Sequence, residues 1–218
     1  MRLEQANDLL KPGYLPLETG YQRLEDGTLL VASLTMMSGC KGYMVDWWFG
    51  YLETSEHYKL WHPEDHVWTE WDEKRRPGHY IGAAHYVHER IGGQLQKLRI
   101  QFRDPAELLD TSRFDEARVT GVICARTGLL DAPIWGGHVI HFCRDTDDGC
   151  EMRSRFWLGD MDPPELAPTR EARIELFPNE AGHALLKHCI EEMRILAAFL
   201  PDLYERECSK EKHGTDRK

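Results

Sequence analysis

The apolar positions fall into short runs separated by Gly, Pro and Asp, and most of the runs have the length and composition of strands. Residues 28–36 (TLLVASLTM) are apolar and β-prone and predict a strand. Residues 82–91, 95–102 and 117–125 predict three more, with Gly92-Gly93 as a hairpin turn between the first two. Residues 137–158 predict a longer hairpin turned at Asp148-Gly149, a dipeptide that tolerates positive φ. Residues 42–51 carry Met44, Val45, Trp47, Trp48 and Tyr51 at helical spacing and predict a short helix. Beyond a crossing marked by Pro163, Pro164 and Pro168, residues 172–176 predict a last short strand. Residues 180–206 predict a long C-terminal helix, with Asn179 as its N-cap and a kink or break at Pro201. The first dozen residues read as an arm or short helix, and residues 209–218 as a frayed, disordered tail.

A sheet with one apolar face needs a cover, and the long helix can supply it. The expectation is therefore an α+β, helix-grip fold: a curved antiparallel sheet wrapped around a C-terminal helix, with a cavity between them. One domain would span residues 1–208. The 218 residues are 41% hydrophobic and 29% charged, a globular composition that excludes a disordered chain, a collagen and a coiled coil. No apolar run is long enough to span a membrane as a helix. A net charge of −10 disfavours nucleic-acid phosphates and anionic membranes as partners. Residues 1–8 are too polar for a signal peptide, so the six cysteines (40, 124, 143, 150, 189 and 208) are expected to be reduced, in a cytoplasmic protein. Dinucleotide and P-loop glycine patterns, a GxSxG elbow and HExxH are all absent.

Chemistry concentrates in one stretch. Six of the eleven histidines lie between His57 and His88, and five of the seven tryptophans between Trp47 and Trp71. On the long helix, with His188 at zero on a helical wheel, Ala181, Leu185, Ile195, Phe199 and Leu203 fall between about −20° and +60°. Glu192 lies inside that stripe and Glu191 at its edge. A buried carboxylate is costly unless paired. His188 and Glu192, one turn apart, either bind one ion together or share a buried hydrogen bond. On the strand at 82–91, Ala83, His85, Val87, Glu89 and Ile91 share one face. Glu89 points to the core if that face is inward and to solvent if the strand is inverted. A two-residue turn at Asp148-Gly149 pairs Cys143 with Ser154, His141 with Phe156 and Val139 with Leu158. It sends His141 inward, and puts Arg144, Arg153, Arg155 and His138 on a face taken to be solvated. In the run Trp61-His62-Pro63-Glu64-Asp65-His66, His62 reads as a helix cap or a ligand, and His66 as a surface residue or a ligand.

The blocks Met44-Val45-Asp46-Trp47-Trp48-Phe49-Gly50, residues 58–66 and Cys150-Glu151-Met152-Arg153-Ser154-Arg155-Phe156-Trp157 resemble the 2,4-diacetylphloroglucinol hydrolase family, which includes phloretin hydrolase. The resemblance runs over about residues 42–203. It implies a helix-grip, Bet v 1/START-like fold and a catalytic Zn2+, with hydrolysis of the C–C bond between a polyphenol ring and an acyl group. It implies a small-molecule aromatic ketone as substrate and leaves room for a homodimer. Carried over, the zinc ligands are Glu89, His188, Glu192 and one histidine of the 58–66 block, His66 in preference to His62. Tyr58, His141 and Phe156 fall at substrate-contacting positions, and His141 and Glu89 become the catalytic candidates. Phe156 stands where the family can have tyrosine, and much of the family's N-terminal extension is missing. The other classes to weigh are a non-catalytic carrier of an aromatic or polyketide ligand and a relative with a different reaction, such as a cyclase.

Overall fold

A computed structural model describes the backbone of residues 1–214 and the side chains of residues 1–210. Eight strands form one antiparallel sheet: β1 (Gly20–Arg23), β2 (Leu29–Ser38), β3 (His66–Trp71), β4 (Ala84–Ile91), β5 (Gln94–Arg103), β6 (Val119–Leu129), β7 (Trp135–Asp145) and β8 (Gly149–Asp162). Their spatial order is β1-β2-β8-β7-β6-β5-β4-β3. The helices are α1 (Gly42–Tyr51), α2 (Ser55–Trp61), α3 (Arg170–Leu176) and α4 (Asn179–Gly214), preceded by a 3-10 helix over Leu3–Leu10. α4 touches β1 and β2 near one end of the strand order and β4 near the other. A helix reaches strands so far apart only where the sheet curls around it, and that is the helix-grip arrangement. None of the described helices is long and apolar enough to cross a membrane.

The inner face of the sheet, α1, α2 and α4 enclose the main core, with Trp48, Val87, Met152, Cys189, Met193, Leu196 and Leu200 all fully buried. α1 sits flush on β6 because both contacting residues lack a Cβ: one built on Gly121 would lie 2.1 Å from the Gly42 carbonyl oxygen. The Gly92-Gly93 turn has φ of 61° and 77°, the left-handed pair that a tight hairpin needs.

Several elements differ from expectation. Residues 172–176 are helical, within α3, because the Thr169 hydroxyl caps the Ala172 amide (3.3 Å) and starts a helix before a strand can form. The β7–β8 hairpin is shifted by two residues: His141 pairs with Ser154, Val139 with Phe156, Cys143 with Met152 and Asp145 with Cys150. Four residues, not two, make the turn, closed by the Thr146 amide on the Gly149 carbonyl (2.8 Å). An even shift keeps every side chain on its face, so His141 stays inward.

The opposite face is not solvated. The N-terminal segment covers it and forms a second core with Leu9, Ile140, Phe142 and Trp157. Arg153 and Arg155 are fully buried there, both paired to Glu18, and Arg153 also donates to the Leu9 carbonyl (3.0 Å). Burial alone would raise the Glu18 pKa, but the two guanidinium groups hold it below the usual carboxylate value.

Asn179 does not cap α4; its side-chain oxygen accepts from Arg23 (3.1 Å). The helix continues through Pro201. The carbonyl that the proline leaves without an amide donor, Ala197, lies 3.8 Å from the Cys40 thiol. α4 also extends past Ser209, where the frayed tail was expected to begin; of that tail, residues 215–218 lie outside the described residues.

Candidate active site

Between the sheet and the N-terminal half of α4 lies a cavity of about 530 Å³. This explains a phase error in the helical wheel. The deepest stripe of α4 is Cys189, Met193, Leu196 and Leu200, whereas Ala181 and Leu185, expected within it, are half-buried and border the cavity. His188 and Glu192 stand on the boundary, buried and facing the cavity.

At its closed end four side chains from three elements converge. His66 begins β3 and pairs across the ladder with Glu89 of β4; His188 and Glu192 come from α4. All four are at most 8% exposed. His66 Nε2 lies 3.8 Å from Glu89 Oε2 and 3.6 Å from Glu192 Oε2, and His188 Nε2 lies 4.0 Å from Glu192 Oε2. The other nitrogen of each ring fixes the tautomer. His66 Nδ1 donates to the Tyr58 carbonyl (2.9 Å), and His188 Nδ1 donates to Asp65 Oδ2 (3.2 Å). Each Nε2 therefore turns a lone pair toward carboxylate oxygens, and His66 Nε2 has no hydrogen-bond partner among the described residues. Burial drives the His66 pKa down to about 2, so the imidazole itself does not take up a second proton. Burial and the nearby Glu89 charge push the Glu192 carboxyl well above its usual range. A divalent cation resolves both conflicts at once. A tetrahedral zinc with bonds of about 2.0–2.2 Å spaces its donors roughly 3.3–3.6 Å apart; the His66–Glu192 pair at 3.6 Å meets that spacing, and the His66–Glu89 and His188–Glu192 pairs at 3.8 and 4.0 Å stand a few tenths of an ångström wide of it. The donor set fits zinc.

The surrounding groups hold this cluster in place. Asp65 receives His188 and lies 3.6 Å from His62 Nε2. The His62 and His188 rings are stacked, with centroids 5.1 Å apart and planes at 8°. His62 Nδ1 accepts from the Asp65 amide (3.2 Å), which turns its Nε2 toward Asp65 and away from the four-residue cluster. Tyr58 stacks on His66 at 3.8 Å and donates its hydroxyl to Glu89.

His85, inward on the strand that carries Glu89, pairs with Thr69 and is held neutral by burial, with a pKa of about 3. His141 borders the same cavity from β7. Its Nδ1 lies 2.8 Å from the Ser154 hydroxyl, and its ring packs near Phe49 and edge-on to Phe156, 5.6 Å away. Burial lowers its pKa to about 4. His138 is on the other face, 3.4 Å from Asp160.

The structure thus brings together His66, Glu89 and His188, whose ligand atoms lie within 4.8 Å of one another, with Glu192 beside the two histidines and with Tyr58, His141 and Phe156 around the adjoining cavity. His62 stands one step back, where it joins Asp65 and His188 as a second group of potential metal donors. Sequence reasoning did not reach Asp65, Thr69, Ser154 or Phe49. Ser154 had a readable signal, since the hairpin puts it on the inward face with His141, as His85 had in sharing a strand face with Glu89; Asp65 looks like one more surface acid in Glu64-Asp65.

The fold is a helix-grip domain with a cavity beside buried histidines and carboxylates that could hold a metal ion, and comparison with known proteins gives the family. Residues 1–205 match the DAPG hydrolase PhiG domain. The chain belongs to that family. It is 31% identical to a 2,4-diacetylphloroglucinol hydrolase of Pseudomonas protegens, over 93% of this chain and 72% of that protein. It is 29% identical to a phloretin hydrolase of Eubacterium ramulus, over 86% of this chain and 72% of that one. Among solved structures, protein Ms6760 of Mycobacterium smegmatis superposes with a TM-score of 0.48 at 12% identity, covering 85% of this chain and 98% of that one.

Proposed function

We propose that this protein is a zinc-dependent hydrolase that cleaves the C–C bond between a polyphenol ring and an acyl group. One observation carries the reading: two imidazole lone pairs and two buried carboxylates converge at the closed end of a largely apolar cavity. The names of the related proteins supply the substrate class, an acylated phloroglucinol or a relative of phloretin. One domain, residues 1–208, would carry the activity.

His66, Glu89, His188 and Glu192 would hold the ion. When bound, zinc supplies Lewis acidity toward the acyl carbonyl and toward water. Glu89 would take the proton of the attacking water, and the Tyr58 hydroxyl donates to its carboxylate. The hydroxyl of that water adds to the acyl carbon. The bond to the ring breaks with its electron pair delocalised onto the neighbouring ring oxygen, which takes a proton back, while the ring carbon keeps the proton it gained in the keto tautomer. The products are a carboxylic acid and the deacylated phenol.

A ring carbon can leave in this way only from a keto tautomer, which needs a group at the neighbouring ring oxygen. His141 is that group. It is neutral, Ser154 orients it, and it faces the cavity. It holds the oxygen and moves a proton between oxygen and carbon. Phe49, Trp61 and Phe156 line the space around the ring and exclude water.

The test is metal analysis after gentle purification, followed by a panel of acylphloroglucinols. One zinc per chain and release of carboxylic acid are expected. A chain without stoichiometric zinc, or ligand binding that a chelator leaves unchanged with no product formed, refutes the hydrolase and makes the protein a carrier.

A further inference from the structure

The polar side chains described above occupy only part of the cavity. The space continues from His188 along α4 toward the helix N-terminus, between Leu185 and Ala181 on one side and Leu98, Leu129 and Leu158 on the sheet. It ends at a rim where Leu129 of β6 and Leu176 of α3 are 56% and 60% exposed. A monoacetylated trihydroxybenzene has about a dozen non-hydrogen atoms, whereas cavities of roughly 300–1,000 Å³ take drug-sized ligands. A ring held at His141, with its carbonyl at the His-Glu cluster, leaves this outer part unfilled; leucines dominate its walls, with Gln94, Thr127 and Glu180 among them. Exposed leucines at the rim are unfavourable in water and suit the entry of an apolar chain.

We infer that the substrates carry a long, flexible, apolar acyl chain, of about six carbons or more, which lies along α4 from Leu185 to the Leu129–Leu176 rim. This rests on the hydrolase reading and gives the acyl side of the substrate its chemical class. The chain contributes binding in ground and transition states alike, so it acts on KM and leaves kcat nearly flat. Each methylene buried against aliphatic walls is worth about a fourfold change in affinity, up to the length at which the chain reaches the rim.

The experiment uses the zinc-loaded protein and trihydroxyphenyl ketones with acetyl, butanoyl, hexanoyl and octanoyl groups. kcat/KM is expected to rise at least tenfold from acetyl to hexanoyl, through KM. Two variants fill the outer space from opposite walls, Ala181→Trp on α4 and Leu158→Trp on β8. Neither residue contacts the reacting atoms in this scheme. A variant that retains its zinc and turns over the acetyl ketone within about threefold of the parent is folded, and it should lose at least tenfold in the octanoyl-to-acetyl ratio. Acetyl turnover equal to or faster than octanoyl in the parent overturns the long-chain inference and leaves the hydrolase reading standing. Chain-length preference unchanged in a folded tryptophan variant places the chain elsewhere and also overturns it. No hydrolysis of any ketone by zinc-loaded protein overturns both.

Discussion

Asp65 is the residue whose loss should separate ligand orientation from ligation. It lies outside the four-residue cluster, yet its carboxylate receives His188 Nδ1 at 3.2 Å and so keeps the Nε2 lone pair aimed at Glu192. Carboxylates that orient a metal-binding histidine in this way are worth about 10–100-fold in metal affinity, or about 1.4–2.8 kcal/mol. Two features place Asp65 near the lower bound. Its side chain is 25% exposed, so water screens it and can replace it. The His188 ring is also held by its stack on His62. Asp65→Ala should therefore weaken zinc binding by about tenfold, measured by competition with a chromophoric chelator at constant pH. Asp65→Asn keeps an oxygen that can accept from Nδ1 and should recover most of that loss. Glu64→Ala, one position earlier and exposed, should bind zinc as the parent does. An Asp65→Ala protein with parental zinc affinity would refute the argument, because His188 would then need no partner on Nδ1.

Four further outcomes are expected. His66→Ala should lose zinc under dialysis conditions in which His62→Ala retains it, because His62 turns its Nε2 to Asp65; the reverse order would make His62 the ligand. Glu192→Ala should lose both metal and activity. Glu191→Ala should keep both, since Glu191 is 40% exposed at its side chain and is paired with Lys187 at 2.9 Å; equal loss in the two would contradict the phase of α4. His141→Ala should keep its zinc while kcat falls by roughly 10²–10⁴, and His138→Ala, on the far face, should stay near parental activity; the opposite result would reverse the faces of β7. Glu18→Gln leaves Arg153 and Arg155 buried without their anion and should cost about 3–5 kcal/mol in chemical denaturation at pH 7. Because the folded-state pKa of Glu18 lies below its unfolded value of about 4.3, its contribution is complete above that value and fades as pH falls through the folded pKa. The gap between parent and variant should therefore close in acid, and a gap that persists at low pH would refute the assignment.

The sequence alone determined the features that depend on local period. Alternation along β4 put Glu89 and His85 on one face, and the strand did carry them inward. The i,i+4 spacing of His188 and Glu192 brought both to one side of α4 whatever the helix packs against. The α1 boundaries followed from helical spacing, and the Gly92-Gly93 hairpin from turn chemistry. The inward face of His141 survived an error in its partner, because faces repeat every two residues and the register slipped by two.

Tertiary structure decided everything that depends on what a face meets. Arg153 and Arg155 read as solvated because arginine usually is. Their burial depends on a carboxylate 135 and 137 residues away in sequence, which only the fold brings near. Whether Asp65 is a surface acid or the partner of His188 depends on a contact across 123 residues. His62 and His66 differ in local geometry that spacing does not carry: one amide occupies His62 Nδ1, and one carbonyl takes the His66 proton. The cavity itself is a difference between the curvature of the sheet and the volume of the side chains inside it. No single segment contains that quantity, so the extent of the apolar space beyond His188 was not legible until all eight strands were closed around α4.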